Sequence, residues 1–147
     1  MRILVKFTRT YCSEAHKVCE DLDLEPPVVP HLYAVNQMAG HCICVVMELI
    51  VGAVHFTAKQ GRQAAQDLSR AVNALHARDL VHADLRCQNI LVRDDRAFLV
   101  DFDWSGLRGQ QMYPAFMNHE GINWAVDASD LMVVKKSHDI HFMNMLM

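Results

Sequence analysis

The sequence predicts a protein of the α+β class. Three patterns carry this prediction. Apolar and polar residues alternate within 3–7, which is the period of a half-buried strand. Within 61–78, apolar residues recur with the spacing of one helical face. Two apolar runs flank a polar turn within 90–100, which indicates a tight β-hairpin.

The remaining elements complete a small sheet unit at the start of the chain. The first strand places Lys6 on the face opposite Val5. A short helix is expected next, because apolar residues recur on one helical face within 11–22. Apolar runs on either side of a turn-rich break within 32–50 predict an antiparallel strand pair. An extended connector before this pair is marked by Pro26, Pro27 and Pro30.

Composition excludes several classes of function. The 147 residues carry 14 Lys and Arg against 17 Asp and Glu, so no basic field is available for nucleic-acid phosphates. The 5 cysteines include no C-x-x-C pair, which fits neither a disulfide framework nor a thiolate zinc site. The apolar run at 3–5 is far shorter than that of a signal peptide, so we expect none, and no apolar run approaches the roughly 18 residues that span a bilayer. We expect a single soluble, intracellular domain, cytoplasmic or nuclear, that binds neither nucleic acid nor membranes.

The residues able to carry chemistry lie on either side of the predicted hairpin. The stretch 81–92 reads V-H-A-D-L-R-C-Q-N-I-L-V, and 98–103 reads F-L-V-D-F-D. The carboxylate of Asp84 can accept or orient the proton of a hydroxyl group, whereas Asn89 and Asp101 offer the hard oxygen ligands that Mg²⁺ prefers. Taken singly, each residue is more commonly a turn former or a cap, so the argument depends on the whole pattern.

This pattern resembles the protein-kinase superfamily, through its H-x-D-L-x-x-x-N catalytic loop and its D-F-G segment, written D-F-D here. The resemblance implies that Asp84 is the catalytic base and that Asn89 and Asp101 bind magnesium, with ATP and Mg²⁺ as cofactors. Arg86 follows Asp84 by two residues, where many kinases place a lysine on the transferred phosphate. We therefore expect Arg86 to keep a cation there with altered geometry.

Upstream of the motif, Lys6 resembles the family's lysine that binds the α and β phosphates of ATP. Glu14 on the following helix is the candidate partner of this lysine, although Glu20 lies on the same helix. Only eight positions separate Lys6 from Glu14, fewer than in typical protein kinases. The resemblance also predicts that Lys6 faces a cleft and approaches Asp101, since both should converge on phosphates.

The run 45–50 resembles the family's strand that leads into the hinge, whose backbone groups hydrogen-bond adenine. On this interpretation Met47 is the gatekeeper, and the residues from Glu48 to Ile50 form the hinge that contacts ATP. A buried strand ending in a loop gives the same pattern without any ligand. Both interpretations remain open at this stage.

Near the end of the chain, 138–141 contains an H-x-x-H pair that lacks a third ligand, so a helix surface is favoured over a metal site. Between these histidines, Asp139 resembles the aspartate on the central helix of the family's large lobe, which anchors the catalytic-loop backbone. We expect Asp139 to play that anchoring part.

The resemblance implies a protein kinase-like two-lobe fold, with 1–52 as an incomplete small lobe and 53–147 as a partial, mostly helical large lobe. No residues before Lys6 supply the family's glycine-rich loop, and the sequence stops within the expected central helix, so we expect a product truncated at both ends. Ala83 and Asp103 replace family residues, and no A-P-E follows. The segment D-F-D-W-S-G looks most like atypical kinase-like proteins abundant in fungi.

Three functions follow from these expectations. The first is an ATP-dependent phosphotransferase, protein kinase-like, that transfers the γ-phosphate to a hydroxyl acceptor on a protein or small molecule. The second is a pseudokinase or an inactive fragment that acts as a binding module. The third is a small-molecule kinase of the aminoglycoside or choline type, because such enzymes share the fold and the same aspartates.

Overall fold

The computed structural model combines a small antiparallel sheet unit with a second part that contains the longest helix and a β-hairpin. The described residues are 2–22, 27–57 and 61–147. Pro26 of the predicted connector lies outside these residues, whereas Pro27 and Pro30 belong to the loop before the second strand. This mixture of helices and small sheets is the α+β class that the sequence predicts.

The first unit contains three strands and one helix. Its elements in chain order are β1 (Ile3–Thr8), α1 (Ser13–Glu20), β2 (Leu32–Met38) and β3 (Cys42–Glu48). The sheet order is β1-β3-β2, and both pairings are antiparallel. The strands, the helix and the antiparallel pair all lie where the apolar periodicity predicts them.

The orientation of β1 differs from the prediction of a strand that buries its apolar face. Val5 is 48% exposed and Phe7 is 63% exposed, whereas Lys6 and Thr8 on the opposite face are partly buried. The two-residue period is therefore correct, but the more buried face is the polar one. Its polar groups are buried because carboxylates of the second unit pair with them, which no local pattern in β1 indicates.

The helix α1 buries one face, formed by Ala15, Val18 and Cys19, against α2, as the spacing predicts. Just before α1 begins, the backbone N–H of Cys12 donates to the carbonyl of Phe102 at 3.0 Å. The start of α1 is thus fastened to the segment that carries the D-F-D motif.

The second part builds its core around one long helix and three antiparallel strands. Its elements are β4 (Val54–His55), α2 (Arg62–Ala77), β5 (Leu80–Val81), β6 (Ile90–Arg93), β7 (Arg96–Leu99), β8 (Gly106–Leu107) and α3 (Lys136–Leu146). The sheets have the orders β4-β6-β7 and β5-β8. The face of α2 formed by Ala64, Leu68, Ala71, Val72 and Leu75 is buried, in agreement with the predicted periodicity.

The hairpin β6–β7 has the tight turn that the sequence predicts. Its two central residues, Asp94 and Asp95, have φ angles of 52° and 60°. Both angles lie in the left-handed region, as type I′ hairpin turns require, and aspartate tolerates that region better than most residues. The turn brings residues 89 and 101 to the same end of the hairpin.

Residues between β8 and α3 form irregular structure, apart from an isolated bridge between Met112 and Val133. An aromatic cluster packs this segment against α3, and its members are Trp104, Tyr113, Trp124 and Phe142. None of the helices in the described ranges is long and apolar enough to span a membrane.

The sequence predicts a helix surface at 138–141, and this prediction is half right. The segment is helical, but His138 is 1% exposed and Asp139 is 0% exposed. His138 is buried because its ring nitrogens find partners in the Tyr113 hydroxyl and the Asp127 carboxylate, each at 3.0 Å.

A buried carboxylate fastens α2 to the hairpin. Asp67 is fully buried on α2 and accepts hydrogen bonds from the Arg96 guanidinium at 2.6 and 3.1 Å. It also accepts bonds from the Gln63 side chain at 3.0 Å and the Ala97 backbone N–H at 3.3 Å. Every oxygen of this buried charge is therefore satisfied, as burial requires.

We predict that Asp67→Asn lowers the free energy of unfolding by about 3 kcal/mol, because it removes one charge of a buried ion pair. Urea denaturation followed by circular dichroism measures the change. Asp94→Asn on the exposed hairpin turn makes the same chemical change and should alter stability by less than about 0.5 kcal/mol. Equal effects of the two substitutions would contradict the prediction.

Candidate functional site

The loop that follows β5 is held in place by a buried aspartate of α3. Asp139 is fully buried, and its two oxygens accept the backbone N–H groups of His82 and Ala83, each at 2.9 Å. The His76 ring donates to the same carboxylate at 2.9 Å. The expected anchoring of the loop by Asp139 is confirmed. Ala83 has a φ of 75°, an unfavourable angle for a residue with a Cβ, and the two bonds to Asp139 hold the loop in it.

His82 links this loop to the segment that carries the D-F-D motif. Its Nε2 donates to the carbonyl of Val100 at 3.1 Å, and its Nδ1 accepts the backbone N–H of Asp84 at 3.3 Å. The ring meets Phe102 edge to face, with centroids 5.1 Å apart. Burial is the main cause that lowers the pKa of His82, so the ring is neutral with its proton on Nε2.

Asp84, the predicted base, is buried and faces two partners. The Arg86 guanidinium binds it with two bonds, Nε to Oδ1 at 2.5 Å and Nη2 to Oδ2 at 2.8 Å. The Asn89 amide nitrogen donates to Asp84 Oδ2 at 2.8 Å and to the Asp84 carbonyl at 2.9 Å. Since its nitrogen is occupied in this way, the Asn89 side chain has its oxygen available as a ligand.

Arg86 also lies over an aromatic ring of the irregular segment. Its guanidinium carbon is 5.5 Å from the centre of the Trp124 ring, within the range of a cation–π contact. The hydrogen bond to Asp84 is the main cause that raises the pKa of Arg86. The structure therefore places Arg86 beside the predicted base, held from a second side by Trp124.

Lys6 of β1 contacts Asp101, which confirms the prediction that they approach each other. The Lys6 amine lies 2.8 Å from Asp101 Oδ1. Asp101 has a φ of 67°, again an angle that few non-glycine residues adopt. Burial opposes ionisation of this carboxyl, but the hydrogen bond and charge of Lys6 outweigh it, and the pKa of Asp101 lies below its ordinary value.

Asp103 is a further carboxylate at the same amine. Its Oδ1 is 2.8 Å from the Lys6 nitrogen, and this contact is an ion pair whose angle does not make a hydrogen bond. Its Oδ2 accepts the Thr8 hydroxyl at 2.7 Å. Burial is the main cause that raises the pKa of Asp103, the charge of Asp101 adds to it, and the Lys6 ion pair and the Thr8 hydrogen bond oppose it.

The predicted pairing of Glu14 with Lys6 is wrong. Glu14 is exposed in the first turn of α1, and within the described ranges the acidic partners of Lys6 are Asp101 and Asp103. Glu20, the other glutamate of α1, binds the His31 ring and the backbone N–H of residue 32. The lysine is paired instead with two carboxylates of the D-F-D segment.

The predicted hinge residues follow the end of β3. Met47 and Ile50 are each 6% exposed, so both side chains belong to the core. The backbone N–H of Glu48 donates to the carbonyl of His31 at 2.8 Å, and Leu49 donates to the carbonyl of Arg2 at 3.1 Å. Contact of Met47, Glu48 and Ile50 with adenine stays a prediction.

The chain is similar in sequence to several proteins that are named kinases. Residues 48–115 match the model of the lipopolysaccharide kinase (Kdo/WaaP) family. The rice proteins Protein kinase PINOID 2 and Protein kinase PINOID, from Oryza sativa subsp. japonica, are 36% and 32% identical to this chain over 94 residues. Each alignment covers 56% of this chain and 19% of the relative.

The fold has a close structural counterpart. The Cydia pomonella granulovirus kinase PK-1 superimposes with a TM-score of 0.73 at 16% sequence identity, covering 98% of this chain and 59% of that one. The chain therefore has a protein kinase-like fold, and its sequence is similar to proteins that are named kinases. It spans about a fifth of the length of the curated relatives it matches.

The site of this kinase-like domain suits Mg²⁺ held together with nucleotide phosphates. No group of three or more His, Cys, Asp or Glu side chains in the described ranges could hold a metal by itself. Mg²⁺ is commonly bound by one or two protein ligands together with phosphates and water, which Asn89 and Asp101 can supply. The chemistry of these two donors therefore fits the predicted metal, whose remaining ligands would have to come from outside the protein.

A column of rings, not predicted from the sequence, joins α1 to the loop that carries Asp84. His16 stacks on Phe102 with centroids 4.8 Å apart, and Phe102 in turn meets His82. The Nε2 of His16 donates to the Pro30 carbonyl at 2.7 Å, and the Tyr11 hydroxyl donates to its Nδ1 at 2.5 Å. The sequence pattern of α1 did not reveal His16, because the buried face was predicted from apolar residues alone and His16 is a polar residue in the core.

We predict that Asp139→Ala increases the exchange rates of the His82 and Ala83 backbone amides at least tenfold, since both lose their acceptor. Hydrogen exchange measured by NMR provides the test. Asp127→Ala removes a carboxylate that binds His138 of α3 and does not contact these amides, and it should leave their exchange rates unchanged. Protection that survives Asp139→Ala would contradict the anchoring role.

We also predict that stability falls below about pH 6.5, the ordinary pKa of histidine. Burial lowers the pKa values of His16 and His82, so between those values and 6.5 the unfolded chain binds more protons than the folded one. The contribution of these two histidines to the free energy of unfolding is therefore complete above pH 6.5 and declines as the pH drops toward their pKa values in the folded state. Urea midpoints at pH 7.5 and 5.5 measure this decline. His16→Gln should reduce it, whereas His41→Asn at an exposed turn should not.

Proposed function

We propose that this domain transfers the γ-phosphate of ATP to a hydroxyl acceptor, with Asp84 as the base. The observation that supports this proposal most directly is a series of contacts that leads from Asp84, the proposed base, to Lys6. Asn89 bonds to Asp84 through its side chain and to the N–H of Val100 through its carbonyl at 3.0 Å. Val100 precedes Asp101, which pairs with Lys6 across 95 positions of sequence. These contacts support one site formed by four residues of the types that phosphoryl transfer uses.

Each residue has a distinct task in this proposal. Asp84 accepts the proton of the acceptor hydroxyl while the oxygen of that hydroxyl bonds to the γ-phosphorus. The bond between the γ-phosphorus and the β–γ bridging oxygen breaks, and ADP leaves. Asn89 and Asp101 hold Mg²⁺, which neutralises phosphate oxygens when bound. Lys6 binds the α and β phosphates after exchanging part of its contact with Asp101. Arg86, beside Asp84, offers a guanidinium to the transferred phosphate.

The acceptor is a hydroxyl of a protein or of a small molecule. The matching family model is named for lipopolysaccharide kinases, and the rice relatives are named protein kinases. Both are named kinases, and they differ in the kind of acceptor. The catalytic residues proposed for this chain serve either acceptor equally, because they contact the hydroxyl and the phosphates and not the rest of the acceptor.

A binding module without turnover is the second candidate. It is favoured by Asp103, because this carboxylate stands where the family's D-F-G segment has a glycine and adds a negative charge beside Lys6. Negative charge near a triphosphate opposes binding unless a cation compensates it. Nucleotide binding without phosphate transfer would support this candidate.

We predict that Asp84→Asn lowers turnover about 10²- to 10⁴-fold and leaves nucleotide affinity nearly unchanged, because Asp84 meets the acceptor and not the metal. Asp101→Asn should instead weaken Mg²⁺-dependent nucleotide binding, since it removes a formal charge from a hard-cation site. Calorimetry with ATP and Mg²⁺ measures binding, and ADP release measures turnover on the same samples.

The unmodified protein and Asp94→Asn are the controls, and both should bind Mg²⁺-ATP equally. Absence of binding by the folded, unmodified protein would rule out the phosphotransferase and the nucleotide-binding module together. Equal loss of Mg²⁺-dependent binding in Asp84→Asn and Asp101→Asn would contradict the division of tasks between them.

A further inference from the structure

Asp103 bridges two neighbouring positions on the polar face of β1. Lys6 and Thr8 are two residues apart on that strand, so both side chains project from the same face. One oxygen of Asp103 pairs with the Lys6 amine at 2.8 Å, and the other accepts the Thr8 hydroxyl at 2.7 Å. With both oxygens occupied by one strand, the carboxylate has a defined orientation toward the lysine.

The glutamates of α1 do not hold Lys6. Glu14 is exposed, and Glu20 binds the His31 ring and a backbone N–H of β2. A lysine amine sits on a flexible four-carbon stem and needs a fixed acceptor to keep one position. The carboxylates that pair with this amine in the described structure are Asp101, which accepts a hydrogen bond, and Asp103, which forms an ion pair.

These two acceptors differ in what happens to them once nucleotide binds. Under the proposed function, Asp101 turns its charge to Mg²⁺, and its contact with Lys6 weakens. Asp103 has its second oxygen on Thr8 and can keep the lysine while Asp101 serves the metal. Its side chain is 19% exposed, so water screens this ion pair less than it screens a surface pair.

We propose that Asp103 is the positioning residue for Lys6, a carboxylate of the D-F-D segment that takes the part expected of a helix glutamate. This inference rests on the proposed function for its catalytic consequence. The D-F-D sequence is then a working variant of the motif, because its third residue orients the phosphate-binding lysine.

A double-mutant cycle tests the contact without any nucleotide. Lys6→Met and Asp103→Asn should each shift the urea midpoint, and the double variant should shift it by clearly less or more than the sum, because both remove one ion pair. Lys6→Met combined with Glu14→Gln should be additive. Additive behaviour of Lys6 with Asp103 would overturn the proposal, whether or not the protein binds ATP.

Kinetics then test the consequence for catalysis. Asp103→Asn should lower kcat/KM for ATP about tenfold, and Thr8→Val should lower it less, because the hydroxyl only orients the carboxylate. The Mg²⁺ concentration at half-maximal rate should stay within about twofold in Asp103→Asn but rise in Asp101→Asn. Asp94→Asn controls for the chemical change on an exposed turn.

The outcomes separate the two ideas. Coupling between Lys6 and Asp103 without Mg²⁺-ATP binding by the unmodified protein keeps the contact but removes both its catalytic consequence and the proposed function. Mg²⁺-ATP turnover that Asp103→Asn leaves unchanged keeps the proposed function and overturns the positioning role. A raised Mg²⁺ requirement in Asp103→Asn would make Asp103 a metal ligand and would also overturn it.

Discussion

The site depends first on the buried charge of Asp139. A carboxylate without access to water is stable only if hydrogen-bond donors surround it, and here three donors come from two segments of the chain. Two of them are consecutive N–H groups of the loop that carries Asp84. An unpaired carboxylate would be costly here, so these bonds hold the loop in one conformation. In that conformation Asn89 and Arg86 contact Asp84.

Backbone angles show where this constraint is applied. Ala83 and Asp101 both adopt positive φ angles, and they lie on either side of the hairpin that joins the loop to the D-F-D segment. Such angles cost free energy for residues that carry a Cβ. Both are compensated nearby, Ala83 by its bond to Asp139 and Asp101 by its ion pair with Lys6. The polar network around the site maintains a backbone that local preference would not choose.

Sequence alone predicted the parts of the fold that repeat locally. The helix α2, the hairpin turn at Asp94 and the loop with Asp84 each have a period, a turn signal or a fixed spacing that can be recognised. The partner of Lys6 was not predictable in the same way. Glu14 is close in sequence, but the choice between it and Asp103 depends on distances set by tertiary packing. The sequence shows that Asp103 replaces the glycine of the family motif. It does not show that Asp103 contacts Lys6 and Thr8 of β1, which only the structure reveals.

The link between α1 and the D-F-D segment has a mechanical consequence. The Cys12 N–H bonds to the Phe102 carbonyl, and the ring of His16 stacks on the Phe102 side chain. The helix thus holds one residue by both its backbone and its ring, so the two cannot rotate independently. We therefore expect a change in the orientation of α1 to shift the Phe102 backbone and, through it, the neighbouring Asp101. The orientation of α1 should then report on the position of the Asp101 carboxylate.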